Sequence, residues 1–164
     1  HGHLLGYFIG QKLKNSDAFL KKSLEILSDK KDMKNLSLTV LGGFLTGIKT
    51  KNPKKAEEFR DLVIKKKLLE NQIFDLIVLS GSSLDDLDVI LKLLEKGTIQ
   101  IEYLRSRIYG GIFGGRNPDE IISFCDKIRK FGPEGILSVG KDFSAGRFPD
   151  STDFSQQDQL AYHC

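Results

Sequence analysis

The fold of this chain is decided by the stretch Val40-Leu41-Gly42-Gly43-Phe44-Leu45, which is closed by Gly47. The polar turn Asn52-Pro53-Lys54 follows it; asparagine is a preferred helix N-cap, and proline suits the first helical position. After the turn, apolar residues return at helical spacing, at Ala56, Phe59 and Val63. The stretch therefore predicts a hairpin of a glycine-rich first helix and an amphipathic second helix.

This pattern recurs along the chain with a period near 34 residues. The closing glycines are separated by 37, 34 and 34 residues and stand at Gly10, Gly47, Gly81 and Gly115. The turns that follow them are Asn15-Ser16-Asp17, Asn52-Pro53-Lys54, Ser82-Ser83-Leu84-Asp85 and Asn117-Pro118-Asp119. The other apolar stripes are Phe19, Leu20, Leu24 and Leu27, then Leu87, Ile90, Leu91 and Leu94, then Ile121, Phe124 and Ile128. A repeat of about 20 to 50 residues is typical of proteins that stack one supersecondary unit.

The repeats predict an all-α fold, a right-handed α-solenoid of about four to five helical hairpins in a single domain, residues 1–164. We expect units at about 4–34, 35–67, 68–97 and 98–132, and a degenerate unit at 133–164. The last unit is polar from Ser151 to Gln159. That composition fits either a terminal unit with a wet outer face or a truncated one.

Glycines inside the predicted first helices need an explanation, because each costs about 0.5 to 1 kcal/mol relative to alanine. Three pairs at i, i+4 remove side chains from one helix face: Gly6/Gly10, Gly43/Gly47 and Gly111/Gly115. We expect these faces to allow a neighbouring helix to approach closely. Phosphate binding is the weaker interpretation, since the segment 110–115 lacks the glycine order and the Lys-Ser/Thr ending of a phosphate loop.

The period and the paired helices resemble the tetratricopeptide repeat and, more loosely, HEAT-like repeats. The residues that carry the likeness are Gly115, Ile121, Phe124 and Lys127 of the fourth unit, with Leu5-Gly6 and Ala18 of the first. The chain contains no Trp, and it has no consistent small residue in the second helices and no proline closing each unit. The choice between the two families therefore stays open. Either resemblance implies a curved binding scaffold without catalysis of its own.

Composition is that of a globular chain, with 40% hydrophobic and 29% charged residues. No apolar run approaches the roughly 18 to 20 residues that cross a bilayer, so we expect no membrane association. The start, His1-Gly2-His3, reads as a tag remnant or the cut edge of a longer protein. Cys125 and Cys164 suggest neither a metal site nor a disulfide framework. We therefore expect a reducing, cytoplasmic location, with Cys125 as a small buried hydrophobe.

Side chains that could support catalysis are few. The three histidines, His1, His3 and His163, have no partner at metal-binding spacing. The carboxylate pairs Asp85-Asp86 and Asp119-Glu120 fall in the first turn of predicted helices, where they meet the positive end of the helix dipole. We expect no catalytic site, no metal site and no cofactor.

The net charge of +3 conceals an asymmetry. Residues 1–72 contain 15 Lys and Arg against 8 Asp and Glu, or +7, while the rest contain 10 against 14, or −4. The lysine clusters are Lys12, Lys14, Lys21 and Lys22; Lys30, Lys31 and Lys34; Lys49, Lys51, Lys54 and Lys55; and Lys65-Lys66-Lys67. Because they recur once per unit near turns, they could form a stripe that attracts phosphates. Solvated edges explain them equally well.

The repeat also predicts a binding surface. Residues 34 apart should stack in neighbouring first helices, which places Arg105 over Asn71 and Tyr109 over Asp75. Arg and Tyr are enriched among the residues that dominate binding energies. Our first hypothesis is a non-catalytic scaffold for a protein or peptide, alone or as a module of a larger protein. The alternative is a solenoid that binds nucleic acid through its lysine-rich N-terminal half.

Overall fold

The structure, a computed structural model, describes residues 1–29, 36–81, 84–107 and 117–133. Within these ranges the regular elements are all helical and no strand is present, which confirms the predicted all-α class. The chain divides into two compact units, His1–Ser82 and Ser83–Cys164. The predicted Ser82-Ser83 turn, the Gly111/Gly115 pair and, apart from Pro133, the degenerate last unit lie outside the described residues.

The described residues form eight α-helices. In the first unit, α1 covers Gly2–Lys12, α2 Ser16–Ser28, α3 Leu38–Lys49, α4 Pro53–Lys65 and α5 Ile73–Leu79. In the second unit, α6 covers Leu84–Glu95, α7 Ile101–Arg107 and α8 Pro118–Ile128. Short 3₁₀ turns, Glu70–Gln72 and Arg129–Phe131, precede α5 and follow α8.

Asparagine side chains start three of these helices, as the turns predict. Asn15 accepts a hydrogen bond from the Ala18 backbone N–H at 3.2 Å. The N-caps of α4 and α8 do the same: Asn52 accepts from the Lys55 N–H at 3.2 Å, and Asn117 accepts from the Glu120 N–H at 2.9 Å. Proline stands in the first turn of both helices. These caps satisfy backbone donors that have no partner within the helix.

Replacing Asn52 with alanine is expected to lower the free energy of unfolding by about 0.5 to 2 kcal/mol, because the Lys55 N–H loses its acceptor. Urea denaturation followed by circular dichroism measures the change. Asn52→Ser is the matched control, since serine caps helices about as well as asparagine. Equal losses in both variants would contradict a capping role.

The core of the first unit is centred on α3, which contacts α1, α4 and α5. Leu41, Phe44 and Leu45 are at most 1% exposed. The Phe44 ring lies 3.9 Å, centroid to centroid, from the ring of Phe19 on α2. The predicted stripes of α4, α6 and α8 are buried throughout, whereas on α2 Phe19 and Leu24 are only partly covered.

The α1 glycines lie directly against the α3 backbone. A Cβ on Gly6 would overlap the Val40 carbonyl oxygen, and a Cβ on Gly10 would overlap that of Phe44. The Cα hydrogens that replace these side chains therefore point at carbonyl oxygens of the other helix, a weak but favourable contact. Since both partners advance by four residues, α1 and α3 run in the same direction.

The α3 glycines make the reciprocal contact, because they lie against the backbone of α1. A Cβ on Gly43 would overlap the His3 carbonyl oxygen, and a Cβ on Gly47 would overlap that of Tyr7. A Cβ on Gly47 would also lie 3.1 Å from the Gly10 Cα. The predicted close approach is therefore confirmed for Gly6/Gly10 and Gly43/Gly47, and the two pairs meet each other.

The glycines of the repeat have two different roles. Gly10 and Gly47 pack inside helices, whereas Gly81 lies just beyond α5 with φ of +78°, a conformation that favours glycine. A Cβ on Gly81 would meet nothing closer than 3.8 Å. In the α3–α5 contact the close approach is made by Gly42, where a Cβ would lie 2.9 Å from the Leu79 carbonyl carbon. Gly81 thus ends a helix and does not pack.

Polar side chains from neighbouring helices cap the C-terminal ends of α1 and α5. The His3 ring donates through Nε2 to the Leu79 carbonyl at 2.7 Å, and Lys49 Nζ donates to the Gly81 carbonyl at 2.7 Å. Lys51 Nζ donates to the Gln11 carbonyl. The last carbonyls of a helix lack internal partners and carry partial negative charge, so cations are favourable there. His3 therefore belongs to the folded unit.

Cys125 differs from its prediction in one respect. It is 1% exposed on α8, as expected of a small buried hydrophobe, but its sulfur is in a disulfide bond. The expectation of no disulfide was wrong because pairing depends on the distance between Cα atoms in the fold, which the spacing of two cysteines does not reveal. Cys164 lies outside the described residues. The cytoplasmic location stays a prediction.

Candidate functional site

The predicted binding surface is described only in part. Asn71 lies in the 3₁₀ turn before α5 and Asp75 lies in the first turn of α5, and both are partly exposed. Arg105 lies on α7 in the second unit, and Tyr109 lies outside the described residues. The stacking of Arg105 over Asn71 and of Tyr109 over Asp75 therefore stays a prediction.

The second unit contains a groove between α6 and α8. Its cavity has a volume of about 370 Å³, within the range of about 300 to 1,000 Å³ that is usual for binding sites. It is lined by Leu87, Asp88, Leu91, Asn117, Asp119, Glu120, Ser123, Phe124 and Lys127. We call this feature the α6–α8 groove.

The floor of the groove is apolar. Leu87 and Leu91 are one turn apart on α6, so they point to the same side, and each is 5% exposed. Phe124 of α8 is 2% exposed and completes the floor. These side chains belong to the core of the unit, and the groove opens on their outer edges. An apolar group entering the groove would therefore add to an existing hydrophobic cluster.

A salt bridge connects the two sides of the groove. Lys127 Nζ of α8 lies 3.3 Å from Asp88 Oδ1 of α6, and the side chains are 52% and 61% exposed. Exposed pairs of this kind add at most about 1 kcal/mol to stability. Their charges nevertheless cancel locally, so neither contributes much net charge to the rim.

The carboxylates at the N-terminal end of α8 form the acidic part of the rim. Glu120 is held by the helix cap, because the Asn117 side-chain amide donates to its carboxylate at 3.2 Å. Asp119 is exposed beside it. Ser123, also exposed, lies one turn further along α8. The groove therefore combines an apolar floor with a rim that carries two negative charges beyond the Asp88–Lys127 pair.

The sequence pattern does not predict this groove; it indicates only a helix-dipole role for Asp119-Glu120 and a core role for Leu87, Leu91 and Phe124. The available signal was the spacing of Glu120, Ser123 and Lys127, which puts polar groups on one face beside Phe124. The spacing of these residues along α8 does not show that this face of α8 lies against α6.

The described lysines of the first unit make local contacts. Besides the two that cap helix ends, Lys55 Nζ lies 2.6 Å from the Asp17 carboxylate and Lys22 Nζ lies 3.1 Å from that of Glu25. Lys12, Lys14 and Lys65-Lys66-Lys67 are exposed. The cluster at Lys30, Lys31 and Lys34 lies outside the described residues. Several of these lysines therefore make hydrogen bonds or salt bridges within the protein.

An apolar surface is exposed on α1. Leu4, Leu5 and Phe8 are 55%, 56% and 52% exposed. The residues 37 positions later, Leu41, Gly42 and Leu45, are buried in α3. The glycine face of α1 packs on α3, and the described residues leave these three side chains largely uncovered.

Within the described ranges, no three His, Cys, Asp or Glu residues are grouped so that they could hold a metal ion. In the same part of the chain, no helix has both the length and the apolar character needed to span a bilayer. Comparison with protein-family models, with curated proteins and with solved structures finds no match for this chain.

Proposed function

We propose that this chain is a non-catalytic helical-repeat scaffold that holds a protein or a peptide, by itself or as a module of a larger protein. The observation that carries the proposal is the α6–α8 groove, with its apolar floor and charged rim. An apolar centre bordered by polar groups is the usual anatomy of a protein-binding surface.

The proposed architecture is a right-handed α-solenoid of the tetratricopeptide-like or HEAT-like kind. Its support is a shared register in the first unit. Gly10 and Gly47, which are 37 residues apart, meet in the α1–α3 contact. Gly42 and Leu79, also 37 residues apart, meet in the α3–α5 contact. Successive first helices that pack with one offset are what a repeated unit produces.

The groove suits binding better than chemistry. Lys127 is paired with Asp88. The Glu120 backbone N–H donates to the Asn117 side-chain oxygen, and the Glu120 carboxylate accepts from the Asn117 side-chain amide. These contacts fix the position of charged groups around an apolar floor, and such an arrangement can orient a partner.

Selection of binders from a random peptide library on the purified chain tests the proposal. Enriched peptides are expected to lose binding to Ser123→Trp, because the indole would occupy the groove beside Phe124. Ser28→Trp, at an exposed position on α2, is the matched control and should bind them as the unmodified chain does. Failure to enrich any peptide, or equal binding by Ser123→Trp, would count against the scaffold.

Retention on heparin and on a DNA duplex separates the scaffold from the nucleic-acid alternative. We expect elution at low salt, since Lys49, Lys51 and Lys55 already have partners within the fold. A binder that neutralises many phosphates loses affinity steeply as salt rises. Strong retention with that steep dependence would instead favour nucleic acid as the partner.

A further inference from the structure

We propose that the α6–α8 groove takes a short polypeptide segment in which a large apolar side chain is flanked by lysine or arginine. This inference rests on the proposed function and specifies the chemistry of the partner. Three observations support it: the apolar floor of the groove, the negative charge of its rim, and the spacing between Glu120 and Phe124 along α8.

The floor selects the apolar side chain. Leu87, Leu91 and Phe124 present hydrocarbon to a cavity of about 370 Å³, which is large enough for a leucine or a phenylalanine side chain with part of its backbone. Burying such a side chain removes mainly the partner's own apolar surface from water, since the floor residues are already at most 5% exposed. A polar side chain in the same place would lose its hydration and gain little.

The rim selects positive charge. Asp88 is matched by Lys127 across the groove, so among the described residues that line it the charges without an ion-pair partner are Asp119 and Glu120. The N-terminus of α8 by itself would favour an anion. However, the Glu120 N–H is already bound by the Asn117 cap, and the two carboxylates already occupy the positive end of the helix dipole. A further anion would be repelled, whereas an ammonium or guanidinium group would be attracted.

The spacing along α8 sets the spacing in the partner. Glu120 and Phe124 are one helical turn apart, or about 6 Å along the axis. An extended peptide rises about 3.3 Å per residue. A cation that reaches Glu120 would therefore stand about two residues from the apolar side chain that lies over Phe124. The partner motif is thus a basic residue, any residue, and then a large apolar residue, or the same order reversed.

Fluorescence anisotropy with defined peptides tests this motif. The probe is a labelled glycine-based peptide with a central phenylalanine and a lysine two positions away on each side. We expect it to bind the full chain, and we expect binding to be lost when glutamate replaces both lysines or serine replaces phenylalanine. Stronger binding of the glutamate peptide would overturn the proposed charge preference.

Two charge-matched variants locate the binding. Asp119→Asn combined with Glu120→Gln should weaken binding of the lysine peptide about tenfold, which corresponds to about 1.4 kcal/mol. Glu57→Gln combined with Glu58→Gln removes the same charge from α4 in the first unit and should change affinity less than about twofold. Equal losses in both would show an unspecific charge effect and overturn the site. Thermal melting by circular dichroism shows that both variants remain folded.

The two proposals fail differently. Library peptides that bind and are blocked by Ser123→Trp, together with a lysine peptide that does not bind, would overturn the basic motif and leave the scaffold standing. If no peptide of any composition binds, the scaffold proposal fails with the motif.

Discussion

Gly43→Leu is expected to lower the free energy of unfolding by about 1 to 3 kcal/mol. A Cβ on Gly43 would overlap the backbone carbonyl of His3, which cannot rotate away as a flexible side chain could. The leucine would therefore push α1 away from α3 and break the reciprocal contact of Gly6 and Gly10. Leucine is the better helix former by almost 1 kcal/mol, so the measured loss is what remains after that gain. Urea denaturation followed by far-ultraviolet circular dichroism gives the value.

Gly2→Ala is the matched control for this prediction. Gly2 also lies on α1 and faces α3, but a Cβ there would be 3.5 Å from the Thr39 and Val40 methyl groups, an ordinary contact. We expect a change of less than about 0.5 kcal/mol in either direction. If Gly43→Leu melts at the same temperature as Gly2→Ala, the close packing of α1 on α3 is not a source of stability.

Phe44→Ala is expected to be more damaging, with a loss of about 3 to 5 kcal/mol. Phe44 is 0% exposed, and its ring lies against that of Phe19. Truncation removes this contact and leaves a cavity in the centre of α3, where backbone-to-backbone packing on α1 limits collapse of the surroundings. Because domains are stable by only about 5 to 15 kcal/mol, this loss removes a large fraction of the total stability, and we expect a clearly lower melting temperature.

Phe8→Ala provides the comparison, since it removes the same atoms from a side chain that is 52% exposed on α1. We expect a loss of less than about 1 kcal/mol. The ratio of the two losses, measured in the same denaturation experiment, tests the assignment of one aromatic residue to the core and the other to the surface. Similar losses would mean that the exposed face of α1 is covered in solution.

The parts of the fold that depend on neighbouring residues could be predicted from the sequence. Asn15, Asn52 and Asn117 cap helices because the acceptor and the donor are three residues apart, so the pattern alone contains the interaction. The Gly43/Gly47 spacing likewise shows that one face of α3 is bare. It does not show which backbone lies against that face.

Contacts between residues that are distant in the sequence could not be predicted, because the pattern of neighbouring residues does not contain them. Lys51 appeared as part of a basic cluster, yet it donates to a carbonyl 40 residues earlier. The α6–α8 groove needs Leu87 and Phe124, 37 residues apart, to face each other. Gly81 fits the spacing of the repeat but ends a helix with a positive φ. Register alone does not distinguish these roles.

The reciprocal contact between α1 and α3 has a mechanical consequence. Because Gly6, Gly10, Gly43 and Gly47 have no side chains, closing the contact immobilises no rotamers at these four positions. Sliding one helix by a single residue would bring Tyr7 or Phe44 into a gap that admits only hydrogen. The glycine contacts therefore exclude a shift of either helix by one residue.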